Sequence, residues 1–194
     1  MTLYITLTGP RGVGKDYVAV KLRDSLRKLS INAHRMSLAH PIKETVSDLT
    51  GLSLEDIEVM KRSPATGVRQ LLIDVGMAGR RYDENFWINK VKSESKNLDV
   101  AIVPDVRFEN EIGEFGGMNL CVYSDEMCPP PSTMIDDSEK LAWDAHASAV
   151  DDPCSIVNIP WRFVLNNRGP VSEAELNFRV DILAEEARDI LMRS

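Results

Sequence analysis

The first residues with a recognisable chemistry form a glycine-rich loop, Gly9-Pro10-Arg11-Gly12-Val13-Gly14-Lys15, with the spacing G-x-x-x-x-G-K. Glycines at this spacing let successive backbone N–H groups point inward around a polyphosphate, where a Cβ would clash. The lysine supplies a mobile cation, and the start of a following helix adds partial positive charge. The pattern therefore predicts a nucleoside triphosphate site, and its alternative is a tight turn with a solvated lysine. The residues predicted to hold the nucleotide are Gly9, Gly12, Val13, Gly14, Lys15, Asp16 and Tyr17.

Two carboxylates accompany this loop. Asp16 stands where a Ser or Thr usually follows the lysine, and Asp105 ends the apolar segment 100–104. Carboxylate oxygens are ligands that Mg²⁺ prefers, so we expect Asp16 and Asp105 to hold the metal that accompanies a triphosphate. Each acid also has a simpler interpretation: the helix dipole favours an acid in the first turn, and a strand-end Asp can cap a turn.

The stretch of about residues 40–97 is rich in groups that bind anions, namely Lys43, Arg62, Arg69, Arg80 and Arg81, and it also holds Trp87. Arginine binds a monophosphate through two parallel hydrogen bonds, and an indole ring stacks well on a base. We therefore predict that this stretch binds the phosphate of a second substrate, which would accept a phosphoryl group from the triphosphate. For any one arginine the alternative is a solvated helix charge, and for Trp87 it is a place in the core.

Alternating strands and helices must position these groups. Short apolar strands that alternate with amphipathic helices predict an α/β fold, a three-layer sandwich with a mostly parallel five-stranded sheet. Ligands bind outside the carboxyl ends of such strands, which directs attention to Gly9 and Asp105. Strands are expected near residues 2–8, 33–38, 99–105, 120–123 and 162–165, and helices near 15–29, 41–49, 53–61, 66–78, 83–95 and 173–192.

Length and composition exclude several classes of protein. The 194 residues are 43% hydrophobic and 27% charged, which is typical of one globular domain over 1–194. We expect residues 40–97 to form its acceptor-binding region and the proline-containing segment 124–150 to form an insertion or lid. No apolar run approaches the ~20 residues that cross a bilayer, and no secretory signal is evident. We therefore expect no membrane association and a cytoplasmic location.

Charge is distributed unevenly. The formal net charge is -7, yet residues 1–107 hold 17 basic and 13 acidic groups, whereas 108–161 hold one basic and 11 acidic groups. The acidic total argues against stable nucleic-acid binding, while the basic first segment suits a small polyanion. The three cysteines form no C-x-x-C pair, so we expect no structural zinc and reduced thiols, with Cys121 buried in a strand.

The class of phosphate-loop protein follows from what is missing. No Asn/Thr-Lys-x-Asp base-reading motif is present, and the chain is too short for a large motor or transporter ATPase. A small-molecule kinase is the commonest remaining solution at this length.

The order of motifs resembles that of phage-type deoxynucleoside monophosphate kinases. The shared elements are the loop with GKD in place of GKS or GKT, Ala39-His40-Pro41-Ile42-Lys43, Arg69-Gln70-Leu71-Leu72 with Gly76, Phe86-Trp87, Asp105-Val106-Arg107-Phe108-Glu109-Asn110-Glu111, His146-Ala147-Ser148 and Asn166-Asn167-x-Gly169. The resemblance implies phosphoryl transfer from ATP to a deoxynucleoside monophosphate with Mg²⁺, and only on this ground a homodimer. It implies catalytic roles for Lys15, Asp105 and Arg107, and nucleotide contact for Asn166. It implies acceptor contact for Lys43, Arg69, Trp87, Arg107, Glu111 and His146. A catalytic role for Arg11 and an acceptor contact for Arg80 are expectations from position alone, Arg11 in the phosphate loop and Arg80 in the arginine-rich stretch. If the source is a phage, the expected location is the host cytoplasm.

Two departures from that pattern keep alternatives open. Ala149 replaces the expected Glu after Ser148, and residues 108–161 contain no arginine that could neutralise the transferring phosphate from a lid. Arg11, Arg80 or Arg81 is the expected substitute. Phosphomevalonate kinases of animal type share the GKD and DVR elements, so a kinase for another phosphorylated small molecule is one alternative. A nucleotide-binding module without turnover is the other.

Overall fold

The protein is described by a computed structural model that covers residues 1–9, 13–124, 163–168 and 173–193. The chain divides into two compact units, one formed by Met1–Met36 with Lys96–Ser194 and the other by Ser37–Ser95. Predictions for Arg11, Gly12 and His146 lie outside the described residues, as do those for positions 125–150 of the expected lid.

The first unit contains a five-stranded sheet whose strands are all parallel. The strands are β1 (Leu3–Thr8), β2 (Ala33–Arg35), β3 (Val100–Val103), β4 (Met118–Ser124) and β5 (Phe163–Arg168), in the order β2-β3-β1-β4-β5. The predicted α/β fold with a parallel sheet is confirmed. Because β1 and β3 are neighbours, the residues that follow them leave the same edge of the sheet.

The helices alternate with these strands as expected, with one addition. They are α1 (Lys15–Lys28), α2 (Ala39–Thr50), α3 (Leu54–Met60), α4 (Val68–Tyr82), α5 (Phe86–Glu94), α6 (Glu109–Phe115) and α7 (Glu173–Arg193), with a 3₁₀ turn at Pro64–Thr66. Helix α6 was not predicted. Its seven residues are too few to show a helical period.

Helices cover both faces of the sheet in the first unit. Ile5 and Leu7 are fully buried in a core that they share with apolar residues of α1 and α7, such as Val18 and Leu183. On the opposite face, the ring of Tyr4 lies 5.1 Å from that of Phe115 in α6. The buried strands hold the loops at their carboxyl ends in place because a parallel strand paired on both sides has little freedom to move.

The second unit is helical, with a small core of Val46, Ile57 and Val68. The predicted start of α3 is confirmed: the Ser53 hydroxyl accepts the Asp56 N–H at 3.0 Å, and the Asp56 carboxylate accepts the Ser53 N–H. The start of α5 was misplaced at Asp83. Asp83 is instead the C-cap of α4, directly after Tyr82. Its carboxylate accepts the N–H of Asn85, the residue that precedes α5. No helix in the described ranges has the length and hydropathy needed to cross a bilayer.

Candidate active site

The phosphate loop joins β1 to α1, and two glycines fix its ends. Gly9 has φ +141°, and a Cβ there would lie 2.0 Å from the carbonyl oxygen of Val122 in β4. Gly14, the residue before α1, has φ +93°. Both conformations are open to glycine and strained for other residues. The close approach of β4 therefore leaves no room for a side chain at Gly9. Separately, the first N–H groups of α1 have no partner within the helix and are donors at the end of the loop.

Lys15 folds back over this loop. Its Nζ donates a hydrogen bond to the Gly9 carbonyl oxygen at 2.6 Å, while the side chain of Val13 is fully buried in the core. The ammonium is thus held at the carboxyl end of β1, beside the helix terminus. A cation and a helix N-terminus at one point form a site suited to a phosphate anion.

Asp16, the first-turn acid predicted as a metal ligand, has a basic partner. The Nη2 group of Arg35 donates to its Oδ1 in an ion pair. Arg35 is the last residue of β2, opposite Ile102 of β3, so it belongs to the same edge of the sheet as the loop. Sequence reasoning missed Arg35. A single arginine at the end of a three-residue strand gives no periodic signal, and only the strand order brings it to this edge.

Asp105 and Arg107 lie on the turn that follows β3. Asp105 is half-buried and Arg107 is exposed. Glu111, predicted to contact the acceptor, is fully buried, and its Oε2 accepts the backbone N–H groups of Arg107 at 2.7 Å and of Phe108 at 3.1 Å. We therefore assign Glu111 to holding the loop, and its expected contact with the substrate stays a prediction. Its contact with the Phe108 N–H is the acidic half of a capping box at the start of α6. The other half is missing, because Phe108 has no side-chain oxygen that could accept the N–H of Glu111.

Tyr17 faces the start of α7. Its hydroxyl donates to the Glu173 carboxylate at 3.0 Å, and Lys21 donates to the same carboxylate at 3.0 Å and to the Asn177 side chain at 2.7 Å. The hydrogen bond that Lys21 donates to Glu173 raises the pKa of Lys21 and lowers the pKa of Glu173. Tyr17 thus joins α1 to α7, and its predicted contact with nucleotide stays a prediction, as does that of Asn166, whose backbone lies in β5.

In the second unit, Lys43 is engaged by an acid. Glu58 of α3 accepts from Lys43 of α2 and from Lys61 at 2.6 Å. Partial burial opposes the ionisation of Glu58, but the hydrogen bonds from the two lysines outweigh it and lower its pKa to about 2. Lys43 therefore already has an ion-pair partner within this unit, and an acceptor anion would have to compete with Glu58 for the Lys43 ammonium.

Arg69 and Arg80 lie on α4, 11 residues apart, which places them about three turns from one another on nearly the same side of the helix. Arg69 is exposed and Arg80 is half-buried. Between them on that side lie Ile73 and Met77, which are 48% and 45% exposed. This side of α4 thus presents two arginines with an apolar stretch between them.

Trp87, predicted to line a base pocket, lies in the core of the second unit and is only 4% exposed. Its Nε1 donates to the carbonyl oxygen of Gly76 at 2.8 Å, and Phe86 packs edge-on against its ring. A Cβ on Gly79 would lie 2.6 Å from the indole. In this arrangement both the ring and its polar atom are occupied by contacts within the unit, and the predicted contact with a base stays a prediction. The pair of glycines three residues apart on α4 was the signal for such close packing.

The residues of the first unit fit a nucleotide with its metal. The start of α1 offers backbone donors, Lys15 offers its ammonium, and Gly9 offers a position that a Cβ would fill. No group of three or more His, Cys, Asp or Glu side chains able to hold a metal occurs in the part of the chain that the structure describes. Mg²⁺ in nucleotide sites commonly takes one or two carboxylates, with phosphate oxygens and water as its other ligands. Asp16 and Asp105 match that donor set.

A parallel sheet with β3 beside β1, a phosphate loop leading into α1 and an acid after β3 are the features of a P-loop protein. Together with the following family match, they define the class of protein as a P-loop kinase, which transfers phosphate from ATP. A family model described as phosphomevalonate kinase matches residues 7–119, which is more than half of the chain. The chain therefore belongs to the phosphomevalonate kinase family. No curated protein matches the sequence.

The chain is also similar to solved kinase structures. Dephospho-CoA kinase from Campylobacter jejuni matches at 14% identity with a TM-score of 0.50, over 96% of this chain and 97% of that chain. Shikimate kinase from Bacteroides thetaiotaomicron matches at 15% identity with a TM-score of 0.45, over 96% of this chain and 98% of that chain. At 14% identity, the first similarity concerns the fold alone. The family match confirms the expected P-loop kinase, but it is to the alternative acceptor class and not to the deoxynucleoside monophosphate kinases.

Proposed function

We propose that this protein transfers the γ-phosphoryl group of ATP to the phosphate of a small phosphorylated acid, with 5-phosphomevalonate as the first candidate. The family match over residues 7–119 carries this proposal. An oxygen of the acceptor phosphate attacks the γ-phosphorus, the bond from that phosphorus to the β,γ-bridging oxygen breaks, and ADP leaves. The products are ADP and a diphosphate ester.

The chain's own groups would act mainly by charge and position. Lys15 would hold the β- and γ-phosphates, because its ammonium already lies on the loop that cradles them. Arg107, on the turn that Glu111 holds, would stabilise the charge that develops on the transferring group. Mg²⁺, when bound by Asp16 and Asp105, would neutralise charge on the ATP phosphates.

The exposed groups of the second unit support this choice of acceptor. Trp87 is committed to the core, so the residue expected to stack a base is not available in this arrangement. The exposed side of α4 instead offers Arg69 and Arg80 with apolar residues between them. Such a surface suits an acceptor that has anionic groups and an aliphatic body, and phosphomevalonate has both a phosphate and a carboxylate.

A coupled assay of ADP formation tests the proposal against both alternatives. The purified protein is supplied with MgATP and, separately, with 5-phosphomevalonate, with each of the four common deoxynucleoside monophosphates and with no acceptor. We expect turnover that depends on phosphomevalonate and is lost in the Lys15→Ala variant. Turnover with a deoxynucleoside monophosphate alone would restore the nucleotide kinase interpretation. ATP binding without turnover for any acceptor would favour the non-catalytic module.

A second experiment examines the acceptor side. Arg69→Ala is expected to raise the acceptor KM more than the ATP KM, because it removes a cation that the proposal assigns to the acceptor. Arg62→Ala is the matched control, since Arg62 is also an exposed arginine of the second unit but lies outside α4. If Arg69→Ala raises the ATP KM instead, Arg69 belongs to the nucleotide site.

A further inference from the structure

The ion pair between Asp16 and Arg35 connects the start of α1 with the end of β2. These two segments lie close together because β2 pairs with β3, which lies beside β1 in the sheet. Asp16 immediately follows the loop lysine in α1, and Arg35 ends β2. The Met36 N–H donates to the Ile102 carbonyl oxygen at 2.8 Å, which fixes the backbone beside Arg35 against β3. The Asp16 side chain is 74% exposed and that of Arg35 is 38% exposed, so the pair lies open to solvent at the loop.

In this position the negative charge of the Asp16 carboxylate has two opposite effects on nucleotide binding. A negative charge beside the phosphate loop repels the phosphates of a nucleotide, yet the same charge is needed to attract Mg²⁺. A guanidinium on that carboxylate removes the repulsion, and it also competes with the metal for the same oxygen atoms. Arg35 is thus placed to supply positive charge to Asp16 whenever the metal does not.

We propose that Arg35 is a positioning residue of the nucleotide site, which neutralises Asp16 in the absence of metal and so reduces the dependence of nucleotide binding on Mg²⁺. The inference rests on the nucleotide site of the proposed function. It does not depend on the identity of the acceptor. It assigns to Arg35 no direct contact with the nucleotide.

The test is a calorimetric titration with ADP, in Mg²⁺ and in EDTA, on the full chain. The quantity compared is the ratio of the ADP Kd in EDTA to the ADP Kd in Mg²⁺. In Arg35→Gln we expect this ratio to rise by about twofold to fivefold, the range that an exposed ion pair provides, mainly through weaker binding in EDTA. Arg35→Lys keeps the positive charge and is expected to return the ratio to the wild-type value.

Two further variants make the test specific. In Asp16→Asn the ratio is expected to fall, and adding Arg35→Gln to that variant should leave it unchanged, because the carboxylate on which Arg35 acts is gone. Arg23→Gln is the matched control: Arg23 also forms an exposed ion pair on α1, with Asp24 at 2.7 Å, but it lies two helical turns from Lys15. Its ratio should equal that of the wild type.

Three results would overturn the proposal. The first is an unchanged ratio in Arg35→Gln. The second is an effect of Arg35→Gln that persists in the Asp16→Asn background, which would mean that Arg35 contacts the nucleotide itself. The third is a failure of ADP to bind the wild-type protein under either condition, which would remove the nucleotide site and this inference with it. The first two results leave the proposed function intact.

Discussion

Glu111 offers a strict test of how the loop after β3 is held. Its side chain has no exposed surface, and one carboxylate oxygen accepts two backbone N–H groups at 2.7 and 3.1 Å. A hydrogen bond to a charged group contributes about 1.5–3 kcal/mol, so Glu111→Ala should cost about 3–5 kcal/mol once the loss of packing is included. Glu111→Gln keeps an acceptor oxygen without the charge, and we expect a loss of about 1–2 kcal/mol.

Urea unfolding followed by far-UV circular dichroism measures this cost. With a slope of about 2 kcal/mol per molar urea, the Gln variant should lower the midpoint by about 0.5–1 M. Because the same loop carries Arg107, we also expect kcat of Glu111→Gln to fall by about tenfold, which corresponds to 1.4 kcal/mol in the barrier. Glu114→Gln, an exposed acid on the same helix, is the control and should change stability by less than about 0.5 kcal/mol.

The outcome that refutes this reasoning is a Glu111→Gln protein with the wild-type midpoint and the wild-type kcat. That result would mean that the two N–H groups do not need the carboxylate, and that other contacts fix the loop. A fall in stability with unchanged kcat would keep the capping role and remove the link to Arg107.

Three further predictions concern separate parts of the molecule. Lys15→Ala should lower kcat at least about 100-fold, because it removes a cation that stabilises transferred charge, and near-normal turnover in the coupled assay would contradict the assignment of the loop. Gly79→Ala places a Cβ 2.6 Å from the Trp87 indole and should cost about 1–3 kcal/mol in urea unfolding, with a shift in tryptophan fluorescence; a stable variant with unchanged fluorescence would show that the helices have room to move. The pKa of Glu58 is lowered from its ordinary value of 4.5 to about 2, so its contribution to stability is full above about pH 5 and is lost as the pH falls toward 2. Since its side chain is 38% exposed and therefore screened, we expect Glu58→Gln to remove about 1 kcal/mol at pH 7 and little at pH 2.

Local sequence patterns were enough to predict those elements whose pattern involves only neighbouring residues. The apolar spacing of Val18, Leu22 and Leu26 predicted α1, and those three residues are fully buried. Ser53 and Asp56 predicted the start of α3 through a contact that spans only three positions. Cys121 was expected in a buried strand and lies fully buried in β4. Each of these features depends on neighbours in sequence, so the chain itself contains the information.

Single residues with distant partners escaped this reasoning. Arg35 acquires its role from Asp16, 19 positions earlier, only because β2 pairs with β3 at the edge that holds the loop. From the sequence alone, Trp87 could line a pocket or lie in the core. Its position depends on how closely α4 approaches α5 at Gly76 and Gly79. Composition and periodicity do not encode such distances.

The sequence by itself determined the class of chemistry, because a phosphate loop needs its glycines and lysine in one continuous stretch between a strand and a helix. It also determined the parallel α/β fold, since alternating apolar strands and amphipathic helices bury their faces in few other ways. Only the tertiary structure decided which charged groups share the edge beside that loop and which aromatic ring is buried. Strand order and helix contact set those distances, and they arise from packing among residues far apart in the chain.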